Sequence, residues 1–152
     1  MDPKGRYSIR QAAPADLAAI VELAGVSFAT PWPRSVFTDE LTRVWSRLRV
    51  LVEEESGCIL GFCCFWIVAG EMHLHNVAVH PDHRRHGLGR QLVEDSLAVA
   101  IGGDARVAFL EVRGRNTVAR ELYRSLGFSD LSVRKAYYVD DPDDAIVMTR
   151  VL

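Results

Sequence analysis

No stretch of this sequence approaches the ~18 apolar residues that a membrane-spanning helix requires, so no membrane partner is expected. The first six residues, Met1-Asp2-Pro3-Lys4-Gly5-Arg6, contain no apolar signal core. Charge of one sign is also lacking. The 18 Lys and Arg nearly balance the 20 Asp and Glu, leaving −2 at pH 7. A general nucleic-acid binder needs a basic face to displace counterions, so that class is not expected. There is no CxxC spacing to suggest zinc or redox work. The three cysteines cannot all pair, and Cys63 and Cys64 are adjacent on an expected strand, where side chains alternate between faces. They read as reduced core thiols of a cytoplasmic protein. Internal repeats, low-complexity tracts and Ser/Gly linkers are missing too, so residues 1–152 read as one domain. With 49% hydrophobic and 25% charged residues, the chain is ordinary globular material. It can bury a core without staples.

What is present is an α/β pattern with a mixed sheet. A short strand at 7–10 precedes a helix opened by Pro14-Ala15-Asp16, with Leu17, Ile20, Val21 and Ala24 on one face. Pro31-Trp32-Pro33 breaks it, because proline cannot donate a backbone hydrogen bond. A second helix is predicted over 35–45, with Val36, Phe37, Leu41 and Val44 inward. A hairpin of strands 48–52 and 59–68 follows, joined by Glu53-Glu54-Glu55-Ser56-Gly57. The strand at 72–79 should place His73, His75, Val77 and Val79 on one face and Met72, Leu74, Asn76 and Ala78 on the other. Then come a helix at 88–101 stopped by Gly102-Gly103, an apolar strand at 107–112, and a helix at 118–126. Strands at 128–139 and 145–151 flank an acidic turn. The sum is about seven strands and four helices. The segment 72–112 should form a parallel pair by a right-handed crossover.

That topology points to a site, because ligands of parallel strands sit beyond the strands' C-terminal ends. After Val79 comes His80-Pro81-Asp82-His83-Arg84-Arg85-His86-Gly87-Leu88-Gly89-Arg90, leading into a helix. The helix start offers unpaired N–H groups and partial positive charge. Gly87 and Gly89 permit close approach, and Arg84, Arg85 and Arg90 add charge, which together favour a phosphate or pyrophosphate. A solvated basic loop would look the same in isolation. The P-loop pattern is absent, and Leu92 replaces the third glycine of a dinucleotide fingerprint, which opposes an NAD enzyme. Glu111 ends an apolar strand at the same sheet edge. Partial burial would suit it to a general base; a salt bridge to Arg113 or Arg115 is the alternative. Asn116, Ala119 and Tyr123 share a face of the next helix, so the Tyr123 phenol could reach the same ligand or simply pack in the core.

Arg84-Arg85-His86-Gly87-Leu88-Gly89 resembles the acetyl-CoA pyrophosphate loop of the GNAT acetyltransferase superfamily, and the likeness in element order spans nearly the whole chain. Within it, the chain is similar to the ribosomal-protein-alanine N-acetyltransferases, the RimI type. The segments that carry this are Phe28-Ala29-Thr30-Pro31-Trp32, Asn76-Val77-Ala78-Val79-His80-Pro81, Leu110-Glu111-Val112-Arg113, Ala119-Arg120-Glu121-Leu122-Tyr123 and Tyr137-Tyr138. The resemblance implies acetyl-CoA as cosubstrate and no metal. It implies that the backbone of Val77, Ala78 and Val79 meets the pantetheine arm and that the loop of Arg84, Arg85, His86, Gly87, Leu88, Gly89 and Arg90 holds the pyrophosphate. Asn116 would contact the pantetheine or its phosphate end. Glu111 would be general base and Tyr123 general acid, with Tyr123 also against the cofactor. Trp32, Tyr137 and Tyr138 would line the acceptor side, a packing role being the alternative. The acceptor would be a protein or peptide N-terminus, such as that of a ribosomal protein, and the enzyme a monomer or weak dimer. His75 and Val139 depart from the narrower pattern, which has an aromatic or aliphatic residue and a proline there.

Three other readings compete. His73 and His75 share a strand face and could bind a transition metal, though no Cys or carboxylate stands at ligand spacing. The acceptor could be a small amine. A non-catalytic acyl-CoA-binding module is the third, but it would need neither Glu111 nor Tyr123.

Overall fold

The computed structural model describes residues 6–84, 86–137 and 143–152. Their strands are β1 (Tyr7–Gln11), β2 (Ser46–Glu53), β3 (Ile59–Val68), β4 (Glu71–Val79), β5 (Val107–Arg113), β6 (Ser129–Arg134) and β7 (Ala145–Val151). The helices are α1 (Leu17–Ser27), α2 (Arg34–Thr42), α3 (Leu88–Gly102) and α4 (Thr117–Ser125). These strands join one seven-stranded sheet in the order β1-β2-β3-β4-β5-β7-β6. Among the described residues, only β4 and β5 pair in parallel, through the crossover helix α3. The sheet topology is the mixed α/β arrangement read from the pattern.

Strand alternation divides the apolar side chains between two cores. Leu51, Cys63, Phe65, Leu110 and Val112 pack with Leu88, Leu92, Val93 and Leu97 of α3, and Leu122 and Tyr123 of α4 lean on the same core. Leu48, Val50, Phe62 and Cys64 face the other way, onto Ile20 and Leu23 of α1 and Phe37 of α2. Cys63 and Cys64 thus occupy opposite faces, as adjacent strand residues must. Burial pushes both thiols up to about 12, which leaves them protonated and inert. Cys58 departs from the expected core placement: it is exposed in the turn before β3.

Three other expectations are corrected. Helix α2 ends at Thr42, because Arg43 turns to an extended conformation and Ser46 already begins β2. Val44 consequently lies in the turn, 83% exposed rather than inward. Strand β6 stops at Arg134, after which Ala136 takes a positive φ of 48° and reverses the chain. The remainder of the strand expected to 139 lies outside the described residues from 138 on. The largest correction concerns β4. Cys64 pairs with Asn76 but Phe65 pairs with Leu74, so His75 is an extra residue, a β-bulge. The bulge inverts the alternation. Met72 and Leu74, and beyond the bulge Val77 and Val79, all turn to the α3 face, while Ala78 turns to the α1–α2 face.

Gly61 lets α3 sit close to the sheet. A Cβ there would stand 2.8 Å from Leu92 Cδ1 and 2.9 Å from the Ala78 carbonyl oxygen. Gly61→Ala should therefore destabilise the protein by about 1–3 kcal/mol, the usual penalty of overpacking. The check is the midpoint of urea unfolding, which should fall without a change in slope.

Candidate active site

The parallel pairing of β4 and β5 runs only from Glu71↔Val107 to Leu74↔Leu110. Beyond the bulge, β4 stays with β3 out to Gly61↔Val79, while β5 stays with β7 to Arg113↔Ala145. The two strands therefore part, and a gap opens in the middle of the sheet. The His80 N–H donates to the Leu60 carbonyl at 2.7 Å. Backbone groups alternate along a strand, so those of Val79 and Val77 point into the gap. Arg84 Nε donates to the Val79 carbonyl at 3.1 Å, which agrees with that direction.

Helix α3 begins at the mouth of this gap. Its N-cap is Gly87 at φ 74°, a left-handed conformation that a Cβ would strain. No described side chain caps the helix. The first helical bond runs from the Gln91 N–H to the Gly87 carbonyl at 3.1 Å, so the amides of Leu88, Gly89 and Arg90 precede the ladder. Helix α4 differs, since Asn116 Oδ1 accepts from the Ala119 N–H at 3.2 Å. The side-chain NH2 of Asn116 remains available to donate to a ligand. Leu88 is buried in the α3-side core and anchors the loop. A Cβ on Gly89 would touch Leu122 and Val79 at 3.7 and 3.8 Å, so this glycine sits between α4 and β4. Arg90 is more engaged than the sequence suggested, donating to Ser125 Oγ at 2.5 Å and lying 3.7 Å from Glu94. His86 is exposed. Arg85 lies outside the described residues. A helix start that no described side chain caps, beside a strand edge that has lost its partner, fits a diphosphate followed by an extended, amide-bearing arm.

Glu111 and Tyr123 approach the gap from opposite faces. Leu110 and Val112 enter the α3-side core, which turns Glu111 to the α1–α2 face, exposed rather than partly buried as expected. Tyr123 is half-buried on the α3–α4 face, its ring edge-on to Phe128 at 5.9 Å. Burial drives the phenol pKa well above its ordinary value, and nearby Cys63 adds to the effect, so Tyr123 holds its proton. Trp32 packs 5.5 Å from Phe37 in the connection between α1 and α2. Tyr137 is 47% exposed, with the Arg134 guanidinium 5.3 Å from its ring. Tyr138 lies outside the described residues.

Two sets of acids escaped the sequence reading. Asp143 and Asp144, read as part of an acidic turn, bind loops together. Asp143 accepts from the Arg115 N–H at 3.1 Å, and Asp144 accepts from the Ala136 N–H at 3.0 Å. Burial works to raise the Asp143 carboxyl, but the N–H groups of Arg115 and Asp144 that it accepts from, with the Arg115 guanidinium, outweigh it and hold the pKa below the ordinary value. Short acids beside a proline were the available signal. Glu40 is the other. It is only 3% exposed and accepts from Trp66 Nε1 and Arg43, each at 3.0 Å. Its spacing of three from Phe37 places it on the inward face of α2. His73 and His75 do share a face, but His73 engages Glu71 at 3.0 Å. Among the described residues no three His, Cys, Asp or Glu side chains stand where they could hold a metal. None of the described helices is long and apolar enough to cross a membrane.

The pattern that defines the acetyltransferase (GNAT) family matches residues 17–128. The ribosomal protein bS18-alanine N-acetyltransferase of Escherichia coli K12 is 33% identical over 135 residues, covering 88% of this chain and 89% of its own. N-alpha-acetyltransferase RimI of Mycobacterium tuberculosis is 32% identical over 142 residues, covering 90% and 87%. The crystal structure of the Escherichia coli ribosomal-protein-S18-alanine N-acetyltransferase superposes with a TM-score of 0.88 at 31% identity, over 96% of this chain and 94% of that one. Arabidopsis thaliana NAA60, crystallised with a bisubstrate analogue, reaches 0.87 at 16% identity over 97% and 99%, a likeness of fold alone.

Proposed function

Because the chain belongs to the GNAT family of acetyltransferases, we propose that its acetyl-CoA-dependent reaction modifies the N-terminal α-amino group of a protein, with alanine first, as on a ribosomal protein. Residues 1–152 act as one acetyltransferase domain. The observation that carries the reading is the gap between β4 and β5 in the middle of the sheet, beside the start of α3, which no described side chain caps. With Tyr123 on the α3–α4 face and Glu111 on the other, the carrier is assigned to the first face and the amine to the second. The names of the relatives favour a protein N-terminus as that amine.

In this proposal the amides of Leu88, Gly89 and Arg90 hold the diphosphate, and the backbone of Val77 with the N–H of Val79 pairs with the extended arm, the Val79 carbonyl being taken by Arg84. Acetyl-CoA supplies the acetyl group as a thioester. An α-ammonium group has a pKa of about 7.7–8.0 and attacks only after losing a proton. Glu111, exposed on the acceptor face, takes that proton directly or through a water. A backbone N–H on the open edge of β4 stabilises charge on the acyl oxygen. Tyr123, protonated in its apolar setting, donates to the departing sulfur, and the second proton that the nitrogen sheds on becoming an amide restores the phenol through solvent. Alignment of amine and thioester in one cleft supplies much of the acceleration.

The test is mass spectrometry on peptides with varied N-termini incubated with acetyl-CoA. One acetyl group added to the α-amine of Ala-starting peptides is the expected result. Modification of lysine side chains alone, or turnover of small amines with no peptide product, would reverse the acceptor assignment.

A further inference from the structure

A second cavity lies on the acceptor face, toward the start of β4. Trp45, Trp66, Val68, His73 and His75 line it, and its volume is about 510 Å³. It shares the face of Glu111. Alternation places Trp66 on the side of Phe62 and Cys64, and the bond from Trp66 Nε1 to Glu40 of α2 fixes it there. His73 lies opposite the core-facing Met72 and Leu74, and its ring stacks on Phe109 at 5.6 Å. Phe109 is two positions before Glu111 on β5. The cavity is thus roughly 7 Å from Glu111 along the strand and one or two strand spacings across the sheet. An extended peptide advances about 3.3 Å per residue, so a chain whose amine sits at Glu111 reaches the cavity with its second or third side chain.

Resting on the acceptor reading above, we propose that this cavity is a specificity subsite for an uncharged aromatic or large aliphatic side chain at the second or third residue of the acceptor peptide. The walls are ring faces. Trp45 and Trp66 meet edge-to-face at 6.5 Å, Trp66 and His75 at 4.4 Å, and His73 and His75 stack at 6.4 Å. Such walls bind apolar and aromatic groups well. A cation is disfavoured because Arg43 already stands 5.9 Å from the Trp66 ring and pairs with Glu40. The indole face and the buried carboxylate are thereby both supplied with positive charge. An acidic side chain is disfavoured because Glu71 and Glu40 lie beside the cavity and already engage His73 and Arg43. Packing against Trp66 lowers the His75 pKa, burial being the main cause, so that imidazole adds no charge at neutral pH. Two nearby apolar side chains stay uncovered: Trp45 is 43% exposed and Val68 42%.

The experiment measures kcat/KM on Ala-starting peptides in which the second or third residue is Ala, Leu, Phe, Lys or Glu. The wild type should favour Phe or Leu over Ala at one of these positions by about tenfold, within the range one apolar contact gives an enzyme. In Trp45→Ala that ratio should fall toward one. Ile101→Ser, at an exposed site near the end of α3 on the other side of the sheet, should keep it. A wild-type preference for Lys or Glu, no preference at either position, or a ratio unchanged in Trp45→Ala with normal thermal unfolding would overturn the subsite while leaving the N-terminal acceptor intact. If Trp45→Ala does not fold, Val68→Asp serves the same comparison from another wall. Failure to acetylate any peptide N-terminus would instead overturn the acceptor reading and the subsite together.

Discussion

Glu111→Gln should lower kcat/KM for an Ala-starting peptide by about 100- to 1000-fold at pH 7, the usual contribution of a positioned general base. The change keeps the shape of the side chain but removes its charge and its ability to take a proton. Because Glu111 is exposed at the end of a strand whose neighbours Leu110 and Val112 are anchored in the core, thermal unfolding should barely move. The affinity for acetyl-CoA should also hold, since the residues proposed to bind it lie on β4 and α3. The decisive readout is pH. As the pH rises through about 7.7–8.0 the acceptor loses its proton in solution, and the gap between wild type and variant should narrow. A loss of the same size at every pH would make Glu111 a positioning residue, and full activity would remove it from the mechanism.

Tyr123→Phe should reduce kcat by about 100-fold with little change in KM for either substrate. The ring, which packs edge-on to Phe128 and leans on the α3-side core, remains. Only the phenolic O–H is lost. Burial raises the phenol's pKa above its ordinary value, so the sign follows directly. The group stays protonated through neutral and mildly alkaline pH, and a raised pKa moves its loss of proton further away. The wild-type profile should therefore show no descending limb from Tyr123 up to about pH 10. The variant should lower the whole plateau rather than shift a limb. An alkaline limb in the wild type that vanishes in Tyr123→Phe would contradict the buried, protonated phenol.

Much of the scaffold is legible from local pattern. Strands β3 and β7 have the bounds their apolar runs predict, Ile59–Val68 and Ala145–Val151. Helix α3 begins at Leu88, directly after the glycine whose positive φ starts it. These features depend on residues close in sequence, where period and turn chemistry act. The misplaced end of α2 has a different cause: Val44 continues the helical apolar spacing, but the chain must turn back within a few residues to enter β2. Of the site, residue types and their edge of the sheet could be read, because a strand followed by a glycine-led helix directs both toward one end of a parallel pair. The faces could not. A single extra residue at His75 inverts every later side chain of β4, and nothing in the local alternation marks that position.

The order of elements and the glycine start of α3 were already written in the chain's local chemistry, since each follows from interactions within one or two turns of backbone. The parallel pairing of β4 with β5 was legible from the strand–helix–strand order that a right-handed crossover requires. Long-range packing was needed to separate β4 from β5 after Leu74 and Leu110, and to bring Glu111 and Tyr123 to the opening from opposite sides. It also sent Trp66 to Glu40 rather than to solvent. The physical reason is that strand register and bulges are set by the sum of many weak contacts between distant segments. Two helical layers pressing on the sheet from either face fix where it opens.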